Sequence, residues 1–175
     1  IPTWNALFWI IILFAAFNGA ARTFDKETFG RELYLYQLAK PESILLSKII
    51  FTAALMLLLC LVSLVLYLVL LGTAVLANID WPVFITALVL ASTGFASILT
   101  LIAGIAYKTD NNLGLSAVLG IPVLIPFLLT LIKFSKNAID GIAWSVNYKY
   151  FLVLLLLNAI VLVLAYVLFP YIWRD

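Results

Sequence analysis

Long stretches of the sequence contain no charged residue, and this feature limits the fold more than any other. After Lys48, four such stretches cover residues 49–79, 81–107, 113–132 and 150–173. A helix needs roughly 20 apolar residues to cross the hydrocarbon core of a bilayer, and lipid leaves no partner for an unpaired backbone group. A transmembrane barrel would instead show shorter, alternating segments. These stretches therefore predict membrane-spanning α-helices.

The composition points to the same class. Of the 175 residues, 66% are hydrophobic and 10% are charged, whereas a soluble domain carries roughly 45 to 50% apolar and about 25% charged residues. The net charge is +2 with acids and bases interleaved, which excludes a nucleic-acid-binding footprint. We predict an all-α, polytopic membrane protein with one transmembrane domain. Its five expected spans lie near residues 4–21, 44–71, 81–107, 113–132 and 150–172.

The positions of the basic residues predict the orientation. If the spans alternate in direction, seven basic residues fall on one side and only Lys133, Lys136 and Lys149 on the other. Positive charge is retained on the cytoplasmic side, so the first loop and the C-terminus should be cytoplasmic and the loops near residues 80 and 137 should lie outside. The chain begins without an initiator Met, so we expect a further N-terminal part with one more span.

The first loop has the pattern of an amphipathic helix over residues 23–40. Asp25 suits a helix N-cap, and Pro41 marks the end with Lys40 in the last turn, the charge order that a helix dipole favours. Its apolar residues follow helical spacing at Phe29, Leu33 and Tyr36. Such a helix is either a membrane-surface connector or a docking element for a soluble partner, and its mixed charges suit docking in a groove.

The order of these residues resembles the CcmB family, the heme exporter permeases of the cytochrome c maturation system, which are relatives of type-two ABC exporters. The resemblance extends over nearly the whole chain. It is carried by Arg22-Thr23-Phe24, Glu27, Gly30, Glu32-Leu33, Leu38, Pro41, Leu46-Ser47-Lys48, the small residues of 94–104 and the proline-bearing segment 119–126.

The resemblance implies a type-two ABC exporter-like permease domain in the bacterial inner membrane, with residues 23–40 as a cytoplasmic coupling helix. It implies a CcmA-like ATPase partner and CcmC-like and CcmD-like heme-handling partners, with heme as a transient cargo. The expected ATPase-docking residues are Arg22, Glu27, Gly30, Arg31, Glu32 and Tyr34. The alternative is a membrane scaffold of a heme-handling complex that carries out no transport itself.

Absent residues limit the chemistry of the spans. The charge-free stretches lack the buried ionisable groups that a proton-coupled transporter needs. No phosphate-binding loop of the G-x-x-x-x-G-K-[ST] type occurs, so ATP must be bound by a partner and the chain is not expected to be an enzyme. Histidine is absent, and Met56 and Cys60 are the only sulfur residues. Their i, i+4 spacing indicates core packing more than a heme-ligand pair, so no tightly bound cofactor is expected.

Two spans carry residues that shape helices. Gly120, Pro122 and Pro126 predict a kinked helix, and the kink is either plain packing geometry or a hinge. Small residues concentrate in an earlier span, at Ser92, Gly94, Ala96 and Gly104 among others. They indicate close helix packing, and the alternatives are a smooth wall for a bulky apolar ligand or a contact with a second copy of the chain.

Overall fold

The computed structural model describes residues 2–25, 41–71, 78–108 and 113–174. These residues form five α-helices: α1 (Pro2–Asp25), α2 (Pro41–Leu71), α3 (Trp81–Lys108), α4 (Leu113–Ile139) and α5 (Trp144–Arg174). The all-helical prediction is therefore confirmed for the part of the chain that the structure describes. Most of the predicted coupling helix, residues 26–40, lies outside the described residues.

Four helices are long and apolar enough to cross a membrane. Their candidate spans are Leu46–Val69, Trp81–Ile105, Gly120–Ile139 and Trp144–Leu168, and α1 adds a shorter apolar stretch, Thr3–Asn18. The chain thus has the character of a multi-pass membrane protein. α1, which the sequence already marks as the shortest of the five expected spans, is the one that falls below this length among the described residues.

Helix α3 lies at the centre of the bundle and contacts each of the other four helices. In its candidate span 67% of the residues are buried, against 22% in the spans of α2 and α5. The outer helices instead expose rows of large aliphatic side chains, such as Leu58 and Val65 on α2 and Leu156 and Val163 on α5. Because these side chains suit the lipid phase, the bundle has one protein-packed helix and a lipid-compatible surface.

α4 extends beyond the predicted end of its span at residue 132. It continues through Ile139, and α5 already begins at Trp144, so the segment between Lys133 and Lys149 is almost entirely helical. The reason is a two-sided pattern: Lys133 and Lys136 are exposed, while Phe134 and Ala138 on the other side are fully buried. The apolar side is packed in the bundle.

A turn at Asp140 and Gly141 ends α4. The backbone N–H of Ile142 donates to the carbonyl of Asn137 at 3.0 Å, and that of Gly141 donates to Ala138 at 3.4 Å. This is the Schellman pattern, in which the residue after the helix adopts a left-handed conformation. Gly141 has φ +65°.

The same turn contacts the loop before α3. The N–H of Asp80 donates to the carbonyl of Ala138 at 2.9 Å, and a Cβ on Gly141 would lie 2.9 Å from the carbonyl oxygen of Asn78. The loops near residues 80 and 137 therefore lie together at one end of the bundle, called the turn end below. This agrees with the predicted alternation of the spans.

Replacing Gly141 by alanine should lower the free energy of unfolding by about 2 kcal/mol, because the methyl group adds left-handed strain and a clash with the Asn78 carbonyl. Reversible unfolding in mixed detergent micelles measures this loss. Asp140→Ala, an exposed neighbour in the same turn, is the control and should change stability by less than about 0.5 kcal/mol. Equal stability of the two variants would contradict the structural role of the turn.

Candidate functional site

Helices α3 and α4 approach each other closely at Gly94. A Cβ built on Gly94 would lie 2.1 Å from Cζ of Phe127, so the phenylalanine ring occupies the place of the missing side chain. The ring also meets Phe95 edge-on with centroids 5.3 Å apart. Small size at Gly94 is what allows the two helices to approach this closely.

The other small residues of α3 serve the same central position. Ser92 and Ala96 are buried, and so is Gly104. Residues 92 and 96 share one side of the helix, whereas residue 94 lies on another side. Small residues thus occur on more than one side of α3, which has neighbours all around it. Ser92 donates to its own helix, at the carbonyl of Val89 at 2.9 Å, so its hydroxyl is satisfied without a partner helix.

The two expected features of α4, its glycine and its prolines, lie on opposite sides of the helix. Gly120 is buried, and a Cβ there would lie 2.7 Å from Cδ1 of Ile102 on α3. Pro122 and Pro126 are both exposed and lie inside the helix. Gly120 thus provides a second close approach to α3, while the prolines face outward.

A buried polar network joins α1 to α4 near the turn end. The indole Nε1 of Trp9 donates to Oγ of Ser135 at 2.7 Å, and Nδ2 of Asn5 donates to the carbonyl of Ile132 at 3.0 Å. The Ser135 hydroxyl lies within donating distance of Asn5 Oδ1 at 3.1 Å and of the Ile132 carbonyl at 3.2 Å. The sequence alone does not predict this network of Asn5, Trp9 and Ser135, although a lone Asn in an apolar helix is a signal for such a bond.

Asn158 forms a second polar contact in the bundle. Its Nδ2 donates to the carbonyl of Leu90 on α3 at 3.3 Å and to that of Leu154 on α5 at 3.1 Å. Its Oδ1 is buried without a partner in the described residues. This amide therefore ties α5 to the central helix.

Few side chains in the described spans could coordinate a metal ion or heme. Met56 and Cys60 are 1% and 0% exposed within the core, and no group of three His, Cys, Asp or Glu side chains occurs among the described residues. An open apolar groove of about 280 Å³ lies between α2 and α5, lined by Leu46, Ile49, Leu162, Val163 and Tyr166. Its lining suits an apolar hydrocarbon chain.

The expected docking residues fall largely outside the described residues. Glu27, Gly30, Arg31, Glu32 and Tyr34 belong to the segment 26–40, and of Arg22 the structure describes only the helical backbone in α1. α1 has 24 residues and so spans about 36 Å. Because Asn5 near its start is bonded at the turn end, its last residue, Asp25, lies at the opposite end of the bundle.

No family model matches the chain, no curated protein matches it, and no solved structure matches its fold. The chain is thus characterised by its own features: a central small-residue helix, a proline-bearing helix packed against it, and a charged segment between α1 and α2.

Proposed function

We propose that the chain is a membrane permease subunit of an ATP-driven complex that exports or releases heme for c-type cytochrome maturation. ATP hydrolysis belongs to a separate cytoplasmic subunit, since the sequence has no phosphate-binding loop. The observation that carries the proposal is the order of residues from Arg22 to Lys48, which resembles the coupling segment of the CcmB family. The bacterial inner membrane and the CcmA-like partner belong to the same proposal.

The positions of the helix ends are consistent with a coupling role for that segment. Helix α1 ends at Asp25 and α2 begins at Pro41, both at the end opposite the turn end. α1 and α2 both pack against α3, so a force applied to the segment by a soluble partner reaches the central helix through two neighbours. Mechanical coupling of this kind needs no charge inside the membrane.

A non-transporting scaffold is the second candidate, and the packing of the core favours it. The buried hydroxyls of Ser92 and Ser97 donate to carbonyls of their own helix, and the Phe127 ring fills the gap at Gly94. The interior of the bundle next to Gly94 is thus filled by an apolar ring and by hydroxyls bonded within their own helix. A scaffold would pass conformational changes to a neighbouring subunit through these contacts.

Charge reversal in the segment tests the docking proposal. The double variant Arg31→Glu with Glu32→Arg keeps the net charge but inverts the surface, so we expect about tenfold less copurifying ATPase. The matched control exchanges the charges of Lys136 and Asp140, which are exposed at the turn end, and should leave the yield of the complex unchanged. Unaltered copurification of the Arg31 and Glu32 variant would contradict the docking surface.

Reconstitution separates the permease from the scaffold. Vesicles containing this chain and its ATPase are supplied with heme on the side of the ATPase, and heme reaching the lumen is measured by a trapped heme-binding reporter. A permease transfers heme in proportion to ATP hydrolysed. Full hydrolysis without transfer would contradict the permease proposal and support the scaffold.

A further inference from the structure

The part of α4 that follows Pro126 is firmly held in the bundle. Its inner side chains recur at helical spacing and are completely buried: Phe127, Leu131, Phe134, Ser135 and Ala138, each 0% exposed. This part also makes hydrogen bonds to other elements. Ser135 and the Ile132 carbonyl bond to α1, and the Ala138 carbonyl accepts the N–H of Asp80 before α3. The residues 127–139 therefore form an anchored half.

Just before this half, two backbone carbonyls lack their helical hydrogen bonds because two prolines supply no N–H. Proline has no N–H, so Pro122 leaves the carbonyl of Val118 without its helical donor, and Pro126 does the same to the carbonyl of Pro122. The two prolines lie four residues apart on the exposed side of α4. Missing bonds on one side of a helix lower the cost of bending at that place.

Thr130 also favours bending in this part of α4. The hydroxyl of Thr130 donates to the carbonyl of Pro126 at 2.8 Å. A Thr that bonds the carbonyl four residues earlier competes with the helical N–H bond and is often associated with bent helices. Bending just before the anchored half is thus favoured by Pro122 and Pro126 and by the Thr130 hydroxyl, which bonds back from that half to the Pro126 carbonyl.

Just before the prolines, Gly120 of α4 contacts α3 with bare backbone. Gly120 faces Ile102, whose Cδ1 lies 2.7 Å from where a Cβ would be. Ile121 and Ile125 beside it are 49% and 51% exposed. An aliphatic side chain resting on glycine backbone is held by dispersion contacts alone, so this contact can open and close without breaking a hydrogen bond.

We infer that α4 is a two-part helix that bends at 122–126. The half from 127 to 139 stays fixed to α1 and α3, and the part before Pro122 moves toward and away from α3. The Gly120 contact with Ile102 is the closed position. Bending of α4 requires neither heme nor an ATPase, because it follows from the contacts of this chain alone.

Distances between spin labels test the hinge on the full chain in lipid nanodiscs. Cys60→Ala removes the single native thiol, and labels are placed at the exposed residues Leu58 on α2 and either Ile121 or Leu129 on α4, which are 56%, 49% and 55% exposed. The first pair reports the part before the prolines and the second the anchored half. We expect the distance distribution of the first pair to be about twofold broader.

Three further variants separate a hinge from a static kink. Pro122→Ala with Pro126→Ala should narrow the distribution from Leu58 to Ile121 to that of Leu129. Gly120→Val should act as a wedge against Ile102 and lengthen only the Ile121 distance, and Ile102→Ala should reverse this shift. Equal widths for both pairs before and after proline replacement, or a wedge that shifts Leu129 as much as Ile121, would overturn the inference.

Discussion

Replacing Gly94 by alanine should destabilise the bundle by about 2 kcal/mol, because the added methyl group would lie 2.1 Å from Cζ and 2.6 Å from Cε2 of Phe127. The ring has no free space to enter, since Phe127 is 0% exposed and Phe95 packs against it. Either α4 must move away from α3 or the ring must leave its preferred rotamer. The apparent free energy of unfolding in mixed micelles measures the loss.

A double-mutant cycle shows whether the clash is the cause. Phe127→Leu removes the far end of the ring, so the variant with both Gly94→Ala and Phe127→Leu should be more stable than the sum of the single losses predicts. Val89→Ile adds one carbon at a position of α3 that is 44% exposed and serves as the control, with an expected change below about 0.5 kcal/mol. Strictly additive losses would contradict the contact.

Ser135→Ala should lower the free energy of unfolding by about 2 kcal/mol. The substitution removes the acceptor of the Trp9 indole N–H and the hydroxyl beside Asn5 Oδ1. Both groups then remain buried between α1 and α4 without these partners, and an unpaired buried polar group costs roughly 1 to 3 kcal/mol. The same unfolding assay measures the loss.

Ser92 provides a matched control for this prediction. Ser92 and Ser135 are 1% and 0% exposed, yet within the described part of the chain the Ser92 hydroxyl bonds only the Val89 carbonyl of its own helix. Ser92→Ala therefore removes no bond between helices and should cost less than about 0.5 kcal/mol. If Ser92→Ala and Ser135→Ala were equally destabilising, the network between α1 and α4 would have no special role.

The helical class and four spans could be predicted because charge is absent from long stretches of the chain. In lipid this absence leaves the helix as the only backbone that satisfies itself. The turn at Asp140 and Gly141 could also be predicted, since Gly takes the left-handed conformation that ends a helix. These features depend on local sequence and on the solvent alone.

The helical nature of residues 133–139 could not be seen in the same way. Lys133 and Lys136 make the segment appear too polar for a span, but residues three apart share one face of a helix. The opposite face carries Phe134 and Ala138, which α4 buries. Whether such a segment continues the span or lies on the surface depends on the neighbouring helices.

The candidate site shows the same division. The list of small residues in α3 follows from the sequence, but the partner of each one does not, because Gly94 meets Phe127 and Ser135 meets Asn5 across more than 30 and 120 positions of the chain. Sequence patterns give the character of a helix face, and only the packed bundle pairs the faces. The docking residues of the first loop stay a prediction.

The tight turn after Ile139 has a consequence for how the chain enters the membrane during synthesis. The candidate span of α4 has a mean hydropathy of only 1.4, while that of α5 reaches 3.0. Since only residues 140–143 separate them, α4 and α5 are expected to partition into lipid as one helical hairpin, with the second arm offsetting the polar cost of the first. If translation stopped before α5 was complete, α4 would lack this partner and would not insert stably into the membrane.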